Sequence, residues 1–150
     1  MPVAPLALKA VALVAAWEVA WWARRRARRA SVYKHASAHA RGLGRPLVVV
    51  GAPDGGVTSG YGCGDTSIDL CASSCPNHIQ CDITKQIPVA DDSCVVFVSC
   101  VLEYVGDVDA ALAEIQRISG GHFFVVGVEP WTLTSIWYPG AKRTLPSHLR

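Results

Sequence analysis

The sequence predicts an α/β domain with a mostly parallel sheet, preceded by a long N-terminal helix. Three observations carry that expectation. Cys94–Val105 reads as a buried strand, Asp109–Arg117 as an amphipathic helix, and the run from Gly120-Gly121 to Val128 as a turn and a second buried strand. Together they make one βαβ crossover, the unit from which parallel sheets are built. Pro46-Leu-Val-Val-Val-Gly51 is a short β-branched run ending in glycine, as a buried first strand would be, and Val3–Ala23 is almost wholly apolar.

Composition divides the chain in two. Of 150 residues 51% are apolar, and the mean hydropathy of +0.26 is more than a purely soluble domain needs, which points to apolar surface facing lipid. The net charge is +2, yet Met1–Arg45 holds nine basic residues against Glu18 alone, or +8, which leaves −6 for the remainder. A basic arm on an acidic globular part suits a membrane surface or a polyanion. The arginine run lacks the interleaved aromatics of nucleic-acid binders, so no nucleic acid is expected.

Taken in order, residues 1–23 read as a transmembrane helix, since about twenty apolar residues cross a bilayer. Lys9 and Glu18 interrupt the run, and Trp17, Trp21 and Trp22 crowd its end before Arg24-Arg-Arg-Ala-Arg-Arg29. Aromatic residues followed by arginines match an interfacial belt and a headgroup-binding cluster, so membrane lipid is the expected partner and a single-pass location with the C-terminal domain on the cytoplasmic side is expected. A helix lying on the membrane, a targeting sequence and a soluble helix packed on the domain are the alternatives. Residues 24–45 continue as a basic juxtamembrane helix or linker, in which His35 and His39 share a solvated basic face. Residues 46–150 form the domain.

After the first strand, Ala52–Asp65 is rich in glycine and has no helical pattern. Such a loop lets backbone approach a nucleotide-like ligand, and equally fills a long surface loop. Thr66-Ser-Ile-Asp-Leu70 is a second strand whose Asp69 either accepts the hydroxyls of a ribose or closes a turn, and Asn77–Asp82 is a short third. In the helix, Val108, Ala111, Leu112, Ile115 and Ile118 form an apolar stripe for packing. The six cysteines, Cys63, Cys71, Cys75, Cys81, Cys94 and Cys100, contain no Cys-x-x-Cys, so no metal site is expected and reduced, mostly structural thiols are.

Ile68-Asp-Leu70, Cys81-Asp82 with Gln86-Ile-Pro-Val89, Val101-Leu-Glu-Tyr104, Ala111-Leu-Ala-Glu-Ile-Gln-Arg117 and Gly120-Gly121 together resemble the class I S-adenosylmethionine-dependent methyltransferases over about Leu47–Pro130. The resemblance implies a reduced, three-layer Rossmann-like methyltransferase domain. It would set Gly51, Asp54, Gly55 and Gly56 at the methionine end of S-adenosylmethionine, Asp69 at its ribose, and Asp82 with Ile83 beside the adenine. The chain departs from the family in its first loop, where Val50–Gly56 lacks the usual acid before Gly-x-Gly-x-Gly, in Cys94 for an acidic residue, in Tyr104 for histidine, and in the short stretch Trp131–Arg150 after the fifth strand.

Methyl transfer asks the protein to position donor and acceptor, with a base where the acceptor must lose a proton. Glu103, Tyr104 and Glu129 lie near strand ends, but none earns a catalytic role from sequence. The expected function is a membrane-anchored methyltransferase-like protein with a degenerate cofactor site. The alternative is a non-catalytic structural or assembly component, a subunit of a membrane protein complex or of a membrane-containing virus particle.

Overall fold

The computed structural model describes residues 4–51 and 59–127. Helix α1 (Ala4–Leu43) leads into β1 (Leu47–Val50), followed by β2 (Thr66–Asp69), β3 (His78–Gln80), β4 (Val95–Ser99), α2 (Val108–Ser119) and β5 (Phe123–Val126). The strands form one sheet in the order β3-β2-β1-β4-β5 with every neighbouring pair parallel. The β4–α2–β5 crossover stands where the apolar pattern predicts it.

Every residue of β1 and β4 is buried, because both faces of the sheet are covered. Val48, Val50, Ile68, Val96 and Val98 pack with Ala111, Ile115 and Ile118 of α2 and with Ile83 and Ile87 of the loop before β4. On the opposite face, Leu47, Val49, Val95, Phe97 and Val126 pack against Ala36 and Ala40 of α1. These two small residues lie one helical turn apart, so the α1 backbone approaches the sheet closely, and the Tyr33 ring meets Phe97 edge-on at 5.5 Å. The last turns of α1 are therefore a layer of the domain.

α2 is delimited by its own sequence. The Asp107 carboxylate accepts the Ala110 N–H at 3.0 Å as N-cap, and Gly120 closes the helix in the left-handed region at φ 60°. Arg117 ties the preceding loop to α2, donating to the carbonyls of Ile87 (2.8 Å) and Val89 (3.0 Å) and pairing with Glu114 at 2.8 Å. Glu114 in turn accepts the Ile87 N–H at 2.9 Å.

Three expectations are corrected. Among the described residues no helix is long and apolar enough to cross a membrane, so the transmembrane reading of residues 1–23 and the single-pass location with a cytoplasmic domain fall. Lys9 and Glu18 leave only Ala10–Trp17 free of charge between them, well short of the roughly twenty residues a span needs, and the helix continues into arginines. Second, Cys63 and Cys75 form a disulfide, with Cα atoms 5.7 Å apart, while Cys71, Cys81, Cys94 and Cys100 are free. Parallel pairing sets the segments entering β2 and β3 side by side, as the 3.1 Å bond from the Asn77 amide to the Asp65 carbonyl also shows. Linear spacing does not carry that proximity. Third, His39 is not on a solvated face: its Nε2 lies 3.1 Å from Nδ1 of His122 and its ring packs edge-on to Phe124.

Candidate functional site

The sheet reverses its order between β1 and β4, the place where an open parallel sheet leaves a crevice at the carboxyl ends of its strands. Both central strands turn away sharply there. Gly51 follows β1 at φ 112°, and a Cβ on it would come within 2.9 Å of the Ser99 carbonyl oxygen and 3.0 Å of Val101 Cγ2. Only glycine fits that exit. Cys100 follows β4 at φ 53°, a left-handed conformation costly for a side chain with a Cβ, held by its N–H bond to the Val126 carbonyl at 2.8 Å.

Between these ends and the neighbouring strand tips lies a cavity of about 500 Å³, within the range of small-molecule sites. Val50, Ile68, Ile83, Val101 and Val105 give it apolar walls, while Asp69, Asp82, Thr84, Tyr104 and Asp107 supply polar groups. Asp69 is the last residue of β2, and its Oδ1 accepts the Cys71 N–H at 2.8 Å. A carboxylate offers roughly four acceptor positions, so most of its capacity is left for a ligand. One strand over, Cys81 donates its N–H to the Asp69 carbonyl at 3.0 Å, which carries Asp82 to the same rim.

Asp82 closes a tight turn, its Oδ1 accepting the Thr84 N–H at 2.9 Å and the Thr84 hydroxyl at 2.8 Å. Those two bonds, the backbone one first, hold its carboxyl below the usual carboxylate range, so it stays ionised at neutral pH. Burial acts the opposite way on the thiols of Cys81 and Cys100, pushing both up and keeping them protonated. Two carboxylates in a cavity with apolar walls can accept hydrogen bonds from a ligand's polar groups while its apolar part packs on the walls.

Of the residues expected from sequence, Asp69, Asp82 and Ile83 line this one cavity, and Gly51 stands at its β1 end beside Val50 and Val101. Asp54, Gly55, Gly56 and Glu129 lie outside the described residues. Tyr104 lines the cavity, whereas Glu103, only 3% exposed, does not. Sequence reasoning missed Cys81, Thr84, Cys100 and Val105. The spacing Asp82-x-Thr84 was a usable signal for Thr84, because an acidic side chain two residues before a threonine readily folds a turn. Cys100 gave none, since its place depends on where β4 ends. Comparisons with protein-family models, curated proteins and solved structures return no match for this chain.

Proposed function

We propose that the chain is a Rossmann-like domain of the class I methyltransferase kind and that its cavity takes S-adenosylmethionine. The observation that carries this reading is the convergence of Asp69, Asp82 and Ile83 on one cavity at the β1–β4 switch point. The residues fit the group. Asp69 at the tip of β2 has acceptor capacity for a ribose diol, the ionised Asp82 accepts from an exocyclic amine, and Ile83 and Val105 give a flat base apolar walls. Gly51 lets the backbone turn away where the methionine end would lie.

When bound, S-adenosylmethionine supplies a methyl group on a positively charged sulfur. The chain's own work is to hold the nucleoside, exclude water with its apolar walls and present an acceptor in line. The reading is tested by ultraviolet cross-linking of methyl-labelled S-adenosylmethionine to the full chain, followed by peptide mapping. Label on the peptides holding Asp82–Thr84 or Cys100–Asp107, displaced by S-adenosylhomocysteine, supports it. Label that cold ligand does not displace contradicts it.

One observation favours a second reading, a non-catalytic component of a protein assembly. The first half of α1 exposes Leu8, Val11, Leu13, Trp17, Val19 and Trp22, large apolar side chains of the kind that a partner surface would cover. Full-length chain that sediments as a monomer at micromolar concentration would count against it.

A further inference from the structure

The walls of the cavity carry negative charge without a cation to match it. Among the described residues no lysine, arginine or histidine lines it, while Asp69, Asp82 and Asp107 do. The chain fixes each of these carboxylates through one oxygen. Asp69 Oδ1 accepts the Cys71 N–H at 2.8 Å, Asp82 Oδ1 accepts the Thr84 N–H at 2.9 Å, and Asp107 Oδ1 accepts the Ala110 N–H at 3.0 Å. Bonds from neutral donors orient a carboxylate and leave its charge in place. Lys85 acts on Asp82 but stands exposed, where water and salt screen it. Helix α1, which holds the arginine run, packs on the other face of the sheet.

Asp107 also decides what the α2 N-terminus can do. Gly106 and Asp107 bring that end of the helix to the cavity, and a helix N-terminus ordinarily favours an anion. Here the chain supplies the anion itself. The Asp107 carboxylate caps the helix and Asp109 stands in its first turn, so a phosphate arriving there meets negative charge in place of an open set of N–H donors. The apolar surface points the same way. From β1 onward, the large apolar side chains that stand exposed among the described residues are Leu70 (67%) and Tyr104 (37%), and both line this cavity. A ligand with an apolar body would cover them.

We propose that the cavity takes an unphosphorylated nucleoside ligand and rejects nucleotides and dinucleotides, with Asp107 as the residue that sets this selectivity. This deepens the methyltransferase reading, by naming what the cavity refuses, and rests on it. Asp69 at the tip of β2 would serve the ribose of a dinucleotide as well as that of S-adenosylmethionine, so a ribose contact does not choose between them. Charge decides. A 5′-phosphate brings about two negative charges into a cavity lined by Asp69, Asp82 and Asp107 with no counter-charge in its walls, whereas S-adenosylmethionine brings a positively charged sulfur.

The test is calorimetric titration of adenosine, adenosine 5′-monophosphate, nicotinamide adenine dinucleotide and S-adenosylhomocysteine into the full chain, at low and at high salt, for the wild type and D107N. Asparagine caps a helix as well as aspartate does, so D107N removes the charge and keeps α2; D107S, which also caps, is the second variant if D107N does not fold. The proposal expects adenosine to bind the wild type about tenfold more tightly than either phosphorylated ligand at low salt. High salt should shrink that gap, and D107N should narrow it about threefold while the circular dichroism spectrum is unchanged. A monophosphate that binds the wild type as well as adenosine, or a gap that salt or the Asp107 variant leaves unchanged, overturns the proposal. If S-adenosylhomocysteine binds and the monophosphate binds equally with adenosine, the selectivity alone falls. If adenosine binds with the expected gap while S-adenosylhomocysteine fails, the methyltransferase reading falls and the selectivity stands. Binding of none of the four overturns both.

Discussion

Individual residues decide how the strands leave the sheet. Gly51→Ala places a methyl against the Ser99 carbonyl at a φ of 112°, and we expect a loss of about 2 kcal/mol in a urea titration, with binding at the cavity lost alongside. Cys94 makes a second test. It is fully buried, and burial pushes its thiol from 9.0 up to about 11. The unfolded chain thus ionises this thiol first, so its contribution to stability is whole below about pH 9 and is lost as pH rises toward about 11. Cys94→Ala should flatten the alkaline fall in Tm over that window, and an unchanged slope would contradict the assignment. At neutral pH iodoacetamide should modify exposed Cys71 first and reach Cys94 only on unfolding. Asp82 entered through the family resemblance of Cys81-Asp82, and Asp69 was legible as an acidic residue at a strand tip. The Cys63–Cys75 pair was not, since only the β2–β3 pairing brings those residues together.

Among the elements, α1 is where structure and sequence part most. Its first half looks like a span because its apolar residues crowd together. Its last turns look like a linker because Ala36 and Ala40 are too small to register as a packing stripe, yet both are buried against Val49, Val95 and Phe97. A helix packed through alanines carries little periodic signal of its own. α2, with its wide apolar stripe, carries a strong one and stands where expected. Ala36→Leu should overpack that face and cost about 1–3 kcal/mol in chemical denaturation, whereas Ala38→Leu, on the exposed side of the same turn, should cost under about 0.5 kcal/mol. Arg117→Ala removes the clamp between α2 and the loop before β4. It should destabilise by about 2 kcal/mol at neutral pH. Glu114 is held below the usual carboxylate range chiefly by its bond from Arg117, so the stability it lends is present above its unfolded pKa and lost as pH falls, and the Arg117→Ala penalty should shrink in acid.

At the scale of the molecule, β1, β4 and β5 carry core side chains on both faces, and neither α1 nor α2 alone can cover them. Removing residues 1–45 should therefore expose Leu47, Val49, Val95, Phe97 and Val126 and abolish cooperative unfolding. A cooperative transition in the truncated chain would contradict the three-layer account. The same layers explain how much of the site was readable. The strand tips and Asp69 follow from the order of apolar runs, while Cys100 reaches the cavity only once β4 ends beside β5. The measurement that bears most directly on the central claim is calorimetric titration of S-adenosylhomocysteine into the full chain, beside an Asp69→Ala variant shown to be folded. The account predicts micromolar binding that weakens by about 10- to 100-fold in the variant, the worth of one hydrogen bond to a charged group. Absence of binding to the folded wild-type chain, or binding indifferent to Asp69, would contradict it.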